Sequence, residues 1–224
     1  MEKQDTTELL NNNDTSIQRK GLWLVDRQQA IDYQRAAQMT WWSILQGLAV
    51  AALAEKTYAV FSSMVMSKDG FILLYILTSA LVIVSAWFQM SWAIILQRWP
   101  VHVTHTAFTL LLGITIYLMA LYVDQPANWF LALLAVIISS IIIYIYNLKT
   151  EAILNLPRFI TVRTIAIYLF FGAICVAAFF HIKYSPTVGT QTGWGVLIFF
   201  LAMTDWILQS RNMKDQNRQM DIPL

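Results

Sequence analysis

Three charged side chains fall inside the long apolar stretches of this chain: Glu55, Lys56 and Asp205. A charge at bilayer depth costs about 2.5–3.5 kcal/mol on insertion scales, so each requires a partner, a wet path or an escape to the surface. Asp205 lies about 9 Å inward from Arg211, which marks a span end, and an aspartate is too short to snorkel that far. Thr204 is adjacent. Counting helical rise from the expected span ends places Gln46, Gln89 and His105 at a similar depth on three other spans. Polar side chains at one level of different helices either line a cavity or act as hydrogen-bonding glue between helices.

Glu55 belongs to a different pattern. Ser43, Gly47, Ala51, Glu55 and Ala59 are spaced by four, which draws one narrow stripe along a helix. Small residues at that spacing let a second helix approach closely, so Glu55 is expected to face protein or a cavity, with the stripe a candidate contact between copies of the chain. The expected depths separate Glu55 from Asp205 by roughly 12 Å, which suits a stepwise proton or cation path. Lys56 points about 100° away and lies close enough to a boundary to snorkel or to pair with a neighbouring helix.

Other chemistry is hard to place. His102 and His105 share one helical face, but His181 sits at the opposite surface, and the single cysteine, Cys175, lies in an apolar run. No metal site and no cofactor are expected from that set. The chain has no HExxH, GxSxG, P-loop or GxGxxG pattern, no TVGYG-like filter and no regular arginine ladder. An enzyme is not expected.

The elements that position these residues follow from composition. Of 224 residues, 58% are hydrophobic and 12% charged, about half the charge typical of soluble domains. Six apolar stretches are long enough to cross about 30 Å of hydrocarbon: Trp41–Met66, Phe71–Leu96, Val103–Val123, Ala127–Tyr146, Thr164–Ile182 and Gly193–Gln209. Breaks fall at Lys68-Asp69-Gly70, Arg98-Trp99-Pro100, Asp124-Gln125-Pro126, the 147–163 segment and 183–189. Trp41, Trp42, Trp99, Trp129, Trp194, Tyr122 and Tyr146 near the span ends read as interfacial belts. Lys and Arg concentrate on one side: Arg19, Lys20, Arg27, Arg35, Arg98, Lys149, Arg158, Arg163 and Arg211 among others, against Lys68 and Lys183 on the other. That bias places both termini in the cytosol.

The expected fold is therefore all-α, a polytopic membrane protein of six transmembrane helices in an inner or plasma membrane. Residues 1–25 read as a loosely ordered cytosolic tail, and 26–40 as a cytosolic helix continuous with the first span, opened by a capping box at Asp26 and Gln29. Residues 41–210 make the membrane domain and 211–224 a cytosolic tail. Three functions fit. The first is a small transporter or ion channel with Asp205, Glu55, Gln46, Gln89, His105 and Thr204 along its path, assembled as a homo-oligomer. The second is a signalling or interaction protein whose cytosolic segment 17–39 docks a protein partner. The third, an enzyme acting on lipid at a cleft of Asp205, His105 and Gln46, lacks a nucleophile. The bilayer is the one certain partner, and nothing points to nucleic acid.

Overall fold

Long runs of Leu, Ile, Val, Ala and Phe interrupted by short polar breaks fold into six helices. A computed structural model of the chain describes residues 6–64, 71–95, 103–150 and 158–219. In chain order these form α1 (Thr6–Met64), α2 (Ile72–Ile95), α3 (Val103–Leu121), α4 (Pro126–Thr150), α5 (Arg158–Tyr184) and α6 (Val188–Gln219), with no strand among the described residues. Five helices carry stretches long and apolar enough to cross a membrane: Asp32–Ser62, Ile72–Ile94, Pro126–Tyr146, Thr161–Tyr184 and Val188–Arg211. In α3 the apolar stretch is shorter, Thr106–Leu121. The chain is a multi-pass membrane protein. Large apolar side chains such as Leu48, Leu169 and Phe200 stand exposed on the bundle, as lipid as solvent permits. The breaks at Lys68-Asp69-Gly70 and Arg98-Trp99-Pro100 and the residue His102 lie outside the described residues.

α1 starts at Thr6, well before Asp26, and continues without interruption into the first apolar stretch. Pro126 occupies the first turn of α4, where its missing N–H removes nothing from the helix. Asn128 donates to Gln125 Oε1 at 2.7 Å across the same start. Thr187 caps α6: its Oγ1 accepts the Thr190 N–H at 3.1 Å, satisfying one of the orphan donors at a helix N-terminus.

Packing joins the helices into a closed ring in the order α1, α3, α4, α5, α6, α2, with α2 also touching α3. α1 turns Trp42, Gln46, Ala49, Leu53 and Val60 inward at helical spacing. It crosses α3 tightly at Gly113, where a Cβ would come 2.5 Å from Leu45 Cδ1 and 3.0 Å from its Cβ. Gly47, on the other flank of α1, has nothing within 4 Å of its Cβ position. Overpacking a tight crossing costs about 1–3 kcal/mol. Gly113→Leu is therefore expected to destabilise the bundle by that order in a mixed-micelle unfolding titration, while Gly47→Leu meets no neighbour within the chain and carries no such packing cost there.

One end of the bundle is held by an aromatic knot. Trp129 of α4 is fully buried and donates its indole N–H to Ser79 of α2 at 2.9 Å. Its ring meets Tyr75 edge-on at 4.8 Å between centroids and Phe130 at 5.1 Å. Tyr75 in turn donates its hydroxyl to the Gln191 carbonyl of α6 at 2.7 Å. Trp129 is thus a core residue and not part of an interfacial belt, and the same holds for the fully buried Trp42. Each has an aromatic body that neighbouring helices enclose, whereas Trp41 stays 57% exposed.

Candidate functional site

Asp205 is placed by α6, about 26 Å along the helix from its start at Val188. A similar distance from the starts of α2 and α4 leads to Gln89 and Tyr144, and a similar distance back from the Tyr184 end of α5 leads to Tyr168. These side chains meet. Gln209, one turn beyond Asp205, lies within side-chain reach of the Asp205 carboxylate and of the phenols of Tyr144 and Tyr168. Tyr168 also contacts Gln89, whose Nε2 donates to Ser85 Oγ at 3.1 Å. The Tyr144 and Tyr168 rings stand edge to face, 5.8 Å apart at an interplanar angle of 68°. Trp206 packs against Phe88 at 6.3 Å beside the cluster.

The result is one carboxylate, two phenols, two carboxamides and a hydroxyl, contributed by four helices at one depth. The side chains gathered about the carboxylate are neutral. Chemically the set offers hard oxygen donors and a group that holds either a proton or a cation. Among the described residues no group of three His, Cys, Asp or Glu side chains is arranged to hold a metal ion.

Of the residues singled out from sequence, Asp205 and Gln89 come together. Thr204 does not join them: it is exposed and returns its hydroxyl to the Phe200 carbonyl at 2.8 Å. The side chain of His105 lies outside the described residues. Gln46 is buried at the contact of α1 with α2 and α3, on another wall of the bundle. Its depth is also corrected. Lys56 pairs with Asp124 in the α3–α4 turn at 2.8 Å, which fixes the register of α1. Counting from that pair puts Gln46 about 15 Å from the α3–α4 end, well short of the Asp205 level.

The same pair relocates Glu55. It stands near the α3–α4 end, about 25 Å from the Asp205 level along the bundle axis instead of roughly 12 Å. Ser43, Gly47, Ala51, Glu55 and Ala59 are all exposed, so among the described residues the stripe packs against no other helix. The bulkier line of Trp42, Gln46, Ala49 and Leu53, about 100° around α1, took the contact instead. Lys56 is explained by its ion pair; both side chains remain about a third exposed, so the pair contributes at most about 1 kcal/mol.

Sequence reasoning missed Tyr144 and Tyr168, because tyrosines near span ends read as interface anchors. The signal was there: Tyr144 counted from the start of α4, and Tyr168 counted back from the end of α5, fall at the distance of Asp205 from the start of α6. It also missed the neighbours of Gln46. Among the described residues, Gln38 and Gln46, each 4% exposed, leave both amide atoms without a hydrogen-bond partner, as do the indole N–H groups of Trp42 and Trp92 and the Ser91 hydroxyl. An unpaired buried polar group costs about 1–3 kcal/mol. Gln46→Met, which keeps the shape and removes the amide, is expected to raise stability by up to that amount in a mixed-micelle titration. Gln89→Met, which breaks an existing hydrogen bond, is expected to lower it.

None of the known protein families, curated proteins or solved structures compared with this chain matches it.

Proposed function

We propose that this protein is a small transporter or ion channel that moves protons or monovalent cations past Asp205. The observation that carries the proposal is the meeting of Asp205, Gln209, Tyr144, Tyr168 and Gln89 from four helices at one depth. A carboxylate used only as helix glue needs one donor. Here Gln209 stands beside it on the same helix, and the Tyr144 and Tyr168 phenols of two further helices lie near enough to feel its charge, so neutral oxygen-bearing groups are at hand to follow a proton or cation as it arrives and leaves.

The proposal includes six spans, with α3 crossing as the sixth although its apolar stretch is shorter. It also includes cytosolic N and C termini, supported by the concentration of Lys and Arg at the Arg35, Arg163 and Arg211 end. In that orientation the Asp205 cluster lies toward the cytosolic side. Assembly of several copies through the exposed Ser43–Ala59 stripe belongs to the same reading, since a second helix can seat closely there. A lipid-acting enzyme would need Asp205 and Gln46 in one cleft, and they lie on different walls.

Reconstitution tests it. Liposomes carrying the protein are expected to dissipate an imposed proton, sodium or potassium gradient faster than empty liposomes. Flux at the empty-liposome rate for all three ions overturns the proposal.

A further inference from the structure

The polar line on α1 is used by nothing in the reading above. Gln38, Trp42 and Gln46 follow one another at four-residue spacing, so three successive turns present polar groups along one line. α2, which packs on α1, adds Ser91. Gln38 lies about 27 Å below Lys56, and Ser91 about 28 Å below the start of α2, so the two meet near one level. From there the line climbs about 12 Å to Gln46. Ser91 sits about 160° around α2 from Gln89, so this line and the Asp205 cluster occupy opposite flanks of α2.

The chemistry of the line is uncharged and rich in both donors and acceptors: two carboxamides, a hydroxyl and an indole N–H. Each of these atoms is shut off from solvent and has no partner among the described residues. Glutamines elsewhere in the chain behave differently. Gln89 donates to Ser85, and Gln125 accepts from Asn128. If the α1 glutamines served only to bind helices together, they would be paired in the same way. In a bilayer, polar groups with no partner are stable only where they meet water or a polar solute for part of the time.

The packing says where such an opening occurs. α1 is pinned toward one end by the Leu45 crossing at Gly113 and by the Lys56–Asp124 ion pair. Gln46 is beside that pivot, and Gln38 lies two turns beyond it, toward Arg35. We infer that the Gln38–Trp42–Gln46 line is a path that admits water and other small uncharged hydrogen-bonding solutes when the Arg35 end of α1 parts from α2. The packed arrangement is its closed form. This path is separate from the Asp205 cluster and stands or falls independently of it.

Thiol accessibility tests the inference in the full chain reconstituted in liposomes. Iodoacetamide is small, uncharged and polar, and it alkylates the thiolate, which forms only where water reaches the sulfur. Gln38→Cys is expected to react at least about tenfold faster than Leu48→Cys, whose position is half exposed on the lipid-facing flank. Gln46→Cys, beside the pivot, is expected to react more slowly than Gln38→Cys. The native Cys175 is fully buried on α5 and is expected to stay unmodified in the wild-type protein. If Gln38→Cys reacts no faster than Leu48→Cys, the inference is overturned. It is overturned equally if Cys175 reacts alongside, because the whole bundle is then loosening. Should neither variant accumulate, hydrogen exchange of the wild-type amides answers the same question. Faster exchange over 38–46 than over 131–138 of α4 supports the path, and equal protection refutes it.

Discussion

Asp205→Asn is expected to bring proton and cation flux down to the level of empty liposomes while the protein stays folded. Asparagine has the shape of aspartate and retains an oxygen for the Gln209 contact, so the junction of α2, α4, α5 and α6 keeps its packing. What it loses is the ability to take and release a proton or to balance a cation. Tyr144→Phe and Tyr168→Phe remove one oxygen each and leave the rings, with their edge-to-face contact, in place. Both phenols lie against neutral carboxamides, and a neutral hydrogen bond is worth about 0.5–1.5 kcal/mol, so each replacement should slow flux by up to about tenfold without abolishing it. Glu55→Gln is the internal control. Glu55 is exposed and about 25 Å away along the axis, so its replacement is expected to leave flux unchanged. Flux unaltered in Asp205→Asn would remove the carboxylate from the mechanism, whatever the wild-type rate.

The sequence reading succeeded where a single physical constraint acts and failed where two compete. Apolar run length dictates helices, and the breaks at Pro126 and at 183–189 fall where the chain turns. Asp205 and Gln89 were legible as one level because both are polar groups with no business in lipid. Tyr144 and Tyr168 were not, since a tyrosine is at home in an interface and in a core, and only helix register separates the two. Trp42 and Trp129 misled in the same way. Glu55 failed for a different reason. A small-residue stripe marks where a helix can be approached, but it does not say that this chain supplies the approaching helix. Here Trp42, Gln46, Ala49 and Leu53 bury more surface against α2 and α3, and the stripe is left outside. The depth of Gln46 is not legible from a span that opens at Trp41, because the Lys56–Asp124 pair, a contact with another helix end, sets the register of α1.

Trp129→Ala is expected to be the most destabilising single substitution of those considered. The indole is fully enclosed between α2 and α4 and touches Tyr75 and Phe130. In soluble proteins truncating such a tryptophan costs about 3–5 kcal/mol, the sum of lost transfer free energy and the cavity left behind. In a bilayer the transfer part shrinks, because lipid tails solvate an indole body well, and the lost packing dominates. Trp129→Phe removes the hydrogen bond to Ser79 together with part of the indole's volume; such bonds between membrane helices contribute about 0.6–1.7 kcal/mol by themselves. Trp41→Ala, at a position 57% exposed, is expected to shift stability by no more than about 0.5 kcal/mol. The order Trp129→Ala, then Trp129→Phe, then Trp41→Ala in a mixed-micelle titration follows from enclosure alone. If Trp41→Ala proved as costly as Trp129→Ala, the aromatic knot would not be what holds that end of the bundle. Because Tyr75 ties the same knot to Gln191 of α6, the loss should also spread. Loosening the α2–α4 contact frees α2, and α2 carries Gln89 on one flank and Ser91 on the other. A defect more than 20 Å from Asp205 is therefore expected to lower flux as well as stability.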